Sequence, residues 1–156
     1  MTGAGSSWVI SGDLSIGTSG NGANILYVLD SALVQVGGAI TIASNNYIYL
    51  ADGYLAVAGD YTTGGAKNSS LDDLLSGMWI YAVGGYKAAT TSNTYLVYIT
   101  ADIAAAYEAA LGYDNLEGYT IFSSSLITVP EPATYALLGG LGALGLALYR
   151  RGKKTA

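Results

Sequence analysis

The sequence lacks cysteine and histidine altogether, and charged residues make up only 11% of its 156 residues. Without Cys and His, no disulfide framework and no Cys- or His-ligated metal site can form. The Ser-His-Asp and Cys-His arrangements of nucleophilic catalysis likewise have no base. Carboxylate sites, for Ca²⁺ or for glycoside hydrolysis, remain open. On balance these absences predict that the protein is not an enzyme and that it holds no cofactor.

Basic residues are scarce and unevenly placed. The chain has 6 Lys and Arg against 11 Asp and Glu, which gives a formal net charge of -5. Residues 1–149 contain two lysines and all eleven acids, so this part carries a net charge of -9. Because phosphate contacts need clustered Lys and Arg, we expect no nucleic-acid partner. The other four basic residues close the chain: Arg150, Arg151, Lys153 and Lys154.

Residues 1–65 are rich in glycine and contain short alternating runs of β-branched and aromatic residues, which is typical of strands. Segments within this region match one another at offsets of 22, 21 and 26 residues, respectively: 24–30 with 46–52, 34–40 with 55–61, and 11–16 with 37–42. A period near 21–22 residues built from short strands is typical of a β-solenoid, whose stacked units bury one apolar column. An ordinary β-sandwich or meander is the alternative.

Residues 66–129 mix helical and strand patterns. A short helix is expected after Ser70, followed by strands at 79–83 and 94–100 that a polar loop joins. A second helix is expected to begin at Thr100 or Asp102 and to stop at Gly112, and a last strand lies within 119–129. Such a region would cap the end of a solenoid. The predicted fold class is therefore mainly β: a short β-solenoid body, truncated at its N-terminus, with a small α+β C-terminal cap.

The last 27 residues, 130–156, form a third region. Pro130-Glu131-Pro132 is followed by seventeen uncharged residues, 133–149, and then by the basic cluster at 150–154. Seventeen helical residues span about 25 Å, which is near the lower limit for a bilayer. The basic flank indicates a cytoplasmic side. The pattern predicts a single C-terminal transmembrane helix whose orientation is set by the basic cluster.

This three-part arrangement resembles the PEP-CTERM sorting signal, with Pro130, Glu131 and Pro132 as its sorting motif. The resemblance implies an exported protein and, as partner, an exosortase-type membrane enzyme that removes the tail. It further implies an inner-membrane-anchored precursor that reaches the cell envelope, the cell surface or the extracellular medium. The strand repeats are similar to those of autotransporter and PEP-CTERM proteins, Gly12-Asp-Leu-Ser-Ile-Gly17 being the most repeat-like phrase.

Residues 1–20 contain neither a basic n-region nor an apolar core of signal-peptide length. An exported protein should begin with such a peptide. We therefore expect that the start codon is misplaced, that the gene is a fragment, or that export follows another route.

Two sets of side chains in the repeats are candidates for binding. Asp30 and Asp52 occupy matching positions and are weak Ca²⁺ candidates, although turn formation is the stronger interpretation. Tyr47, Tyr49 and Tyr54 could stack on sugar rings, the alternative being that tyrosine suits half-buried strands. The primary prediction is a structural protein of the cell surface or extracellular matrix. The alternative is an exopolysaccharide-binding module that uses a Tyr-rich face.

Overall fold

The computed structural model describes residues 1–17, 23–62, 71–82 and 85–129. Short strands dominate these residues, and most are bounded by Gly, Asn, Asp or Ser turns, as the composition predicts. The strands are β1 (Ser7–Ile10), β2 (Leu14–Ile16), β3 (Ile25–Leu29), β4 (Leu33–Val36), β5 (Ile40–Ile42), β6 (Tyr47–Ala51), β7 (Tyr54–Ala58), β8 (Met78–Ala82), β9 (Gly85–Ala88), β10 (Tyr95–Tyr98) and β11 (Tyr119–Ser123). The helices are α1 (Leu71–Ser76) and α2 (Ala101–Leu111).

The strands form three sheets. A five-stranded sheet has the order β1-β4-β7-β11-β10, a four-stranded sheet has the order β3-β6-β8-β9, and β2 pairs with β5. Five strand pairs are parallel: β1–β4, β4–β7, β2–β5, β3–β6 and β6–β8. It is antiparallel where β9, β10 and β11 join. Strands from residues 1–65 and from residues 66–129 therefore share the two larger sheets.

The offsets found in the sequence reappear as strand registers. Val28 pairs with Leu50 at an offset of 22, and Val34 pairs with Leu55 at an offset of 21. The partial third match is also a strand pair, because β2 lies beside β5. Register follows from the apolar alternation, since a slip by one residue would turn the buried side chains outward.

The predicted short β-solenoid with an α+β cap is wrong. Across the four described ranges there is no closed solenoid, and the offset between paired strands is irregular: it is 26 for β1 with β4 and 30 for β6 with β8. A solenoid needs a constant period so that each unit can stack on the last. Here the parallel order stops after three strands in each larger sheet, because β11 pairs antiparallel with β7 and β9 pairs antiparallel with β8.

The predicted pairing of strands at 79–83 and 94–100 is also wrong. Both segments contain a strand, as predicted, but the two strands do not form a hairpin across the polar loop: β8 pairs with β9 and β10 pairs with β11, in different sheets. The predicted transmembrane helix at 133–149 lies outside the described residues. Neither α1 nor α2 has the length and apolar character that a membrane crossing requires.

One apolar core lies between the sheets. It combines inward-facing side chains of all three sheets with Leu74 and Leu75 of α1. Val28, Ile48, Leu50 and Ile80 supply it from the four-stranded sheet. Gly53 permits close approach of two chain segments, because a Cβ there would lie 2.4 Å from the carbonyl oxygen of Val28.

A second apolar cluster lies on the other face of the five-stranded sheet. It includes Leu33, Ala56, Ile121 and Leu116, and α2 packs on it through Ala104. The helix begins after Thr100 and ends at Gly112, whose φ of 76° is the left-handed conformation that glycine favours. The central strands β4, β7 and β11 of the five-stranded sheet are therefore covered on both faces.

Candidate functional site

The outer face of the four-stranded sheet carries a group of aromatic side chains, which we call the aromatic surface. Alternation along each strand explains its position: the neighbouring residues Val28, Ile48, Leu50 and Ile80 point into the core, so the aromatic residues point away from it. The aromatic surface consists of Tyr27, Tyr47, Tyr49, Trp79, Tyr81 and Tyr86.

A row of three rings crosses the surface from strand to strand. Tyr27 pairs with Tyr49 on the next strand, and Tyr49 pairs with Trp79 on the one after. The ring centroids of Tyr27 and Tyr49 are 5.2 Å apart. Those of Tyr49 and Trp79 are 5.8 Å apart with an interplanar angle of 9°, so the two rings are stacked. Strand register thus builds a continuous aromatic row.

The other three rings of the surface, those of Tyr47, Tyr81 and Tyr86, pack against this row and against one another. Tyr47 meets Trp79 edge-on at 5.9 Å, and Tyr86 meets Tyr49 edge-on at 4.5 Å. Tyr81 lies 5.3 Å from Tyr86. Edge-to-face pairs of this kind contribute about 0.5–1.5 kcal/mol each beyond their buried area. The ring contacts therefore add to the strand pairing that positions the surface.

The aromatic surface is open to solvent and uncharged. Tyr27 is 41% exposed and Tyr81 is 51% exposed, while Tyr47, Tyr49 and Trp79 are half-buried. Burial raises the pKa of Tyr86 above its ordinary value of 10.0, and the hydroxyls of Tyr27, Tyr49 and Tyr81 raise it further. Tyr86 is therefore a neutral phenol at physiological pH, able to donate and accept hydrogen bonds.

The structure brings together two of the three predicted stacking residues. Tyr47 and Tyr49 belong to the aromatic surface, but Tyr54 does not. Tyr54 lies in β7 of the five-stranded sheet and packs half-buried against the cluster beneath α2. Sequence reasoning did not select Tyr27 or Trp79 for this site. The signal for Tyr27 was available, because it aligns with Tyr49 at the 22-residue offset.

Asp30 and Asp52 lie in turns that their own conformations create. Their φ values are 54° and 53°, a left-handed region that Asp tolerates better than most residues. The Oδ2 of Asp30 accepts a hydrogen bond of 2.5 Å from the Thr2 hydroxyl. The described ranges contain no group of three or more His, Cys, Asp or Glu residues that could hold a metal ion. The geometry matches the turn-forming interpretation.

Other acidic residues are tied to the fold or lie on an open surface. The Oε1 of Glu108 accepts a hydrogen bond of 2.9 Å from the backbone N–H of Leu116 and so secures the chain after α2. Asp114 and Glu117 line a shallow cavity of about 600 Å³ beside Val9 and Gln35. The side-chain amide of Gln35 donates to the Asn115 carbonyl oxygen at 2.8 Å.

The predicted sorting residues lie outside the described residues, as does the basic cluster at 150–154. The chain that leads to them leaves β11 at Ser123 and runs along the surface to Val129. Leu126 on this path is 70% exposed. The sorting segment therefore follows directly on a surface-exposed stretch of the body.

No curated protein and no solved structure matches the chain. A family model, described as the PEP-CTERM protein-sorting motif, matches residues 128–151. This range includes Pro130, Glu131 and Pro132 and reaches the start of the basic cluster. The chain therefore carries a PEP-CTERM sorting signal, which marks an exported protein of the cell envelope or surface whose sorting depends on the membrane enzyme exosortase.

Proposed function

We propose that the exported protein binds exopolysaccharide through its aromatic surface. The observation that carries this proposal is the row of exposed Tyr27 and half-buried Tyr49 and Trp79. Aromatic rings offer apolar faces to the C–H bonds of sugar rings, and tyrosine hydroxyls offer hydrogen bonds to sugar hydroxyls. A contiguous exposed patch of this kind is typical of an interaction site.

Charge favours a neutral polysaccharide over an anionic one. None of the side chains of the aromatic surface is charged at neutral pH, and residues 1–129 carry ten acids and two lysines, a net charge of -8. A polyanion would be repelled by this body, whereas a neutral glycan meets no such barrier. The ligand class is therefore an uncharged polysaccharide of the cell envelope or matrix.

Affinity electrophoresis in gels that contain a neutral exopolysaccharide tests the proposal. Wild type should be retarded, Tyr49→Ala should lose most of the retardation, and Tyr49→Phe should keep most of it because the ring remains. Tyr54→Ala is the matched control, since Tyr54 lies on the five-stranded sheet. Equal mobility of wild type and Tyr49→Ala, with both folded by circular dichroism, would refute the proposal.

A second candidate function is that of a structural component of the surface or matrix. A body built from short paired strands around one core favours it. A strain without the gene should form a less cohesive matrix. If the role is structural, Tyr49→Ala restores cohesion as wild type does. If the role is glycan binding, Tyr49→Ala does not restore it.

We also propose that the chain is a substrate and not a catalyst, and that its precursor is held at the inner membrane until processing. The PEP-CTERM sorting motif at residues 128–151 supports this. Mass spectrometry of the envelope form should show loss of residues after the Pro-Glu-Pro segment. Glu131→Ala should accumulate the full-length chain. An intact Ala156 terminus on the mature wild-type protein would contradict the proposal.

A further inference from the structure

Four tyrosines of the aromatic surface converge on one another although each comes from a different strand. They are Tyr27 of β3, Tyr49 of β6, Tyr81 of β8 and Tyr86 of β9, and we call them the tyrosine cluster. The ring centroid of Tyr86 lies 4.5 Å from that of Tyr49 and 5.3 Å from that of Tyr81. Tyr27 is farther from Tyr86, at 6.5 Å. Tyr86 is therefore the centre of the cluster.

The contact between Tyr49 and Tyr86 reaches across a whole strand. In the four-stranded sheet β8 lies between β6 and β9, and neighbouring strands are about 4.8 Å apart. Because the two backbones are two such spacings apart, rings with centroids 4.5 Å apart must lean towards each other over β8. The hydroxyl ends converge as well: burial raises the pKa of Tyr86, and the hydroxyls of the other three cluster members raise it further. The fold thus brings together phenol groups that the strand spacing alone would keep apart.

The cluster is open to an oxidant and has no thiol to compete with it. Tyr27 is 41% exposed and Tyr81 is 51% exposed, while Tyr49 and Tyr86 are half-buried. Cysteine would compete for an oxidant, but the sequence contains none, and Met78 is fully buried. An electron can therefore be removed at an exposed phenol, and the ring contacts connect that phenol to Tyr86.

We propose that the tyrosine cluster is a site of oxidative cross-linking, at which Tyr49 and Tyr86 of one chain join as dityrosine. The oxidant is hydrogen peroxide, used by a haem peroxidase outside the cell. Each ring gives up one electron and its phenolic proton, and one peroxide takes up both electrons and both protons to form two waters. The two phenoxyl radicals then form a carbon–carbon bond between ring carbons adjacent to the oxygens. The hydrogens on those two carbons move to the oxygens, which restores both phenols.

This link supplies a covalent tie that the chain otherwise has no side chains to make, since it contains no cysteine. It joins β6 to β9 across β8 and closes a loop that includes α1. Closing a loop covalently restricts the unfolded chain, which is how a disulfide stabilises a fold in the chain-entropy model. The inference concerns a modification of the aromatic surface and does not depend on glycan binding.

Tryptic digestion of the oxidised full chain identifies the link directly. Residues 1–149 contain only two trypsin sites, after Lys67 and Lys87, so Tyr49 lies in peptide 1–67 and Tyr86 in peptide 68–87. Dilute protein treated with a haem peroxidase and hydrogen peroxide should yield these two peptides joined, with the loss of two hydrogen atoms. The chain should remain a monomer on a denaturing gel. Links confined to one peptide, or only between chains, would contradict the proposal.

Two matched phenylalanine substitutions separate ring contact from exposure. Tyr86→Phe keeps the ring but cannot form a phenoxyl radical, so it should reduce the joined product at least several-fold. Tyr81→Phe is the control: Tyr81 is more exposed than Tyr86 but makes no ring contact with Tyr49, so the joined product should persist. Circular dichroism checks that both variants are folded. Equal yields from wild type and Tyr86→Phe, or loss of the product in Tyr81→Phe, would overturn the inference.

The envelope form of the protein tests whether the modification occurs in cells. Mature protein isolated from the envelope should contain the same joined peptides without added peroxidase, and Tyr86→Phe isolated in the same way should lack them. Absence of the joined peptides from the wild-type envelope form would refute the proposal. Glycan retardation is a separate measurement that rests on Tyr27, Tyr49 and Trp79, so each proposal can fail without the other.

Discussion

The two larger sheets bury their inner faces against the same core, but their outer faces differ. The five-stranded sheet presents aliphatic side chains such as Leu33 and Ile121, and α2 covers them. The four-stranded sheet presents tyrosine and tryptophan, which are exposed or half-buried. Aliphatic side chains have no polar group to offer to water, so they need a covering element. Tyrosine can pack its ring against neighbours and keep its hydroxyl in water, so this face stays accessible for binding.

The largest expected effects come from removing side chains beneath the two outer faces. Ile121→Ala opens a cavity under α2, and Ile80→Ala opens one under the aromatic surface. Each should lower the free energy of unfolding by about 2–5 kcal/mol. Because the five-stranded sheet contributes to both clusters, chemical denaturation should remain a single transition. A variant in which one sheet unfolds while the other stays folded would show that the two sheets are independent folding units.

Truncation within the aromatic surface should have a smaller effect. Tyr49 contacts the rings of Tyr27, Tyr47, Trp79 and Tyr86, so Tyr49→Ala should lower the free energy of unfolding by about 1–3 kcal/mol. Tyr95→Ala is the control, because Tyr95 is exposed and makes no ring contact with other described residues. It should change stability by less than about 0.5 kcal/mol. Urea denaturation of both variants measures the difference, and equal losses would show that the ring contacts contribute nothing.

A substitution in α2 tests whether the aromatic surface depends on the helix that covers the five-stranded sheet. Ala105 lies exposed in the middle of α2, so Ala105→Gly should cost about 1 kcal/mol through helix propensity alone. The aromatic surface should keep its tryptophan fluorescence and its retardation on glycan gels, because α2 lies on the other sheet. A loss of glycan retardation in folded Ala105→Gly would mean that the helix supports the binding face.

Local features of this fold could be predicted from the sequence, and long-range pairings could not. The end of α2 at Gly112 follows from a glycine after a helical run, and the register of Val28 with Leu50 follows from repeated alternation. The pairing of β7 with β11 joins residues about sixty positions apart, such as Val57 and Thr120. No local pattern encodes it. The solenoid prediction failed because it extended a local period to strands whose partners are distant in the chain.

The dependence on long-range strand pairing also explains why Tyr54 lies apart from Tyr47 and Tyr49. Tyr47 and Tyr49 share one strand face, which two-residue alternation predicts. Tyr54 is close to them in sequence but lies in a different sheet, because the turn at Asp52 and Gly53 separates β6 from β7. Proximity along the chain therefore grouped Tyr54 with residues of another sheet. The neighbours of Tyr49 on β3 and β8 could be identified only from the sheet order.

The smallest expected effect is a delayed alkaline titration of two tyrosines, Tyr61 in the core and Tyr86 in the aromatic surface. Burial raises the pKa of Tyr61 in the core, and burial with neighbouring hydroxyls raises that of Tyr86, both above 10.0. A raised pKa in the folded state means that the unfolded chain loses these protons first as pH rises. Their contribution to stability is therefore constant below pH 10.0 and is lost as pH climbs from there through the folded-state values.

Tyrosinate absorbance of wild type and Tyr86→Phe measures this shift directly. The group missing in Tyr86→Phe should belong to the part of the curve above pH 10.0, because the pKa of Tyr86 is raised. Tyr61 should also ionise above pH 10.0, because burial in the core raises its pKa. If the pKa of Tyr86 were the ordinary 10.0, the rings around it would not be packed as the structure has them. The open face would then be a loose set of side chains and no preformed binding surface.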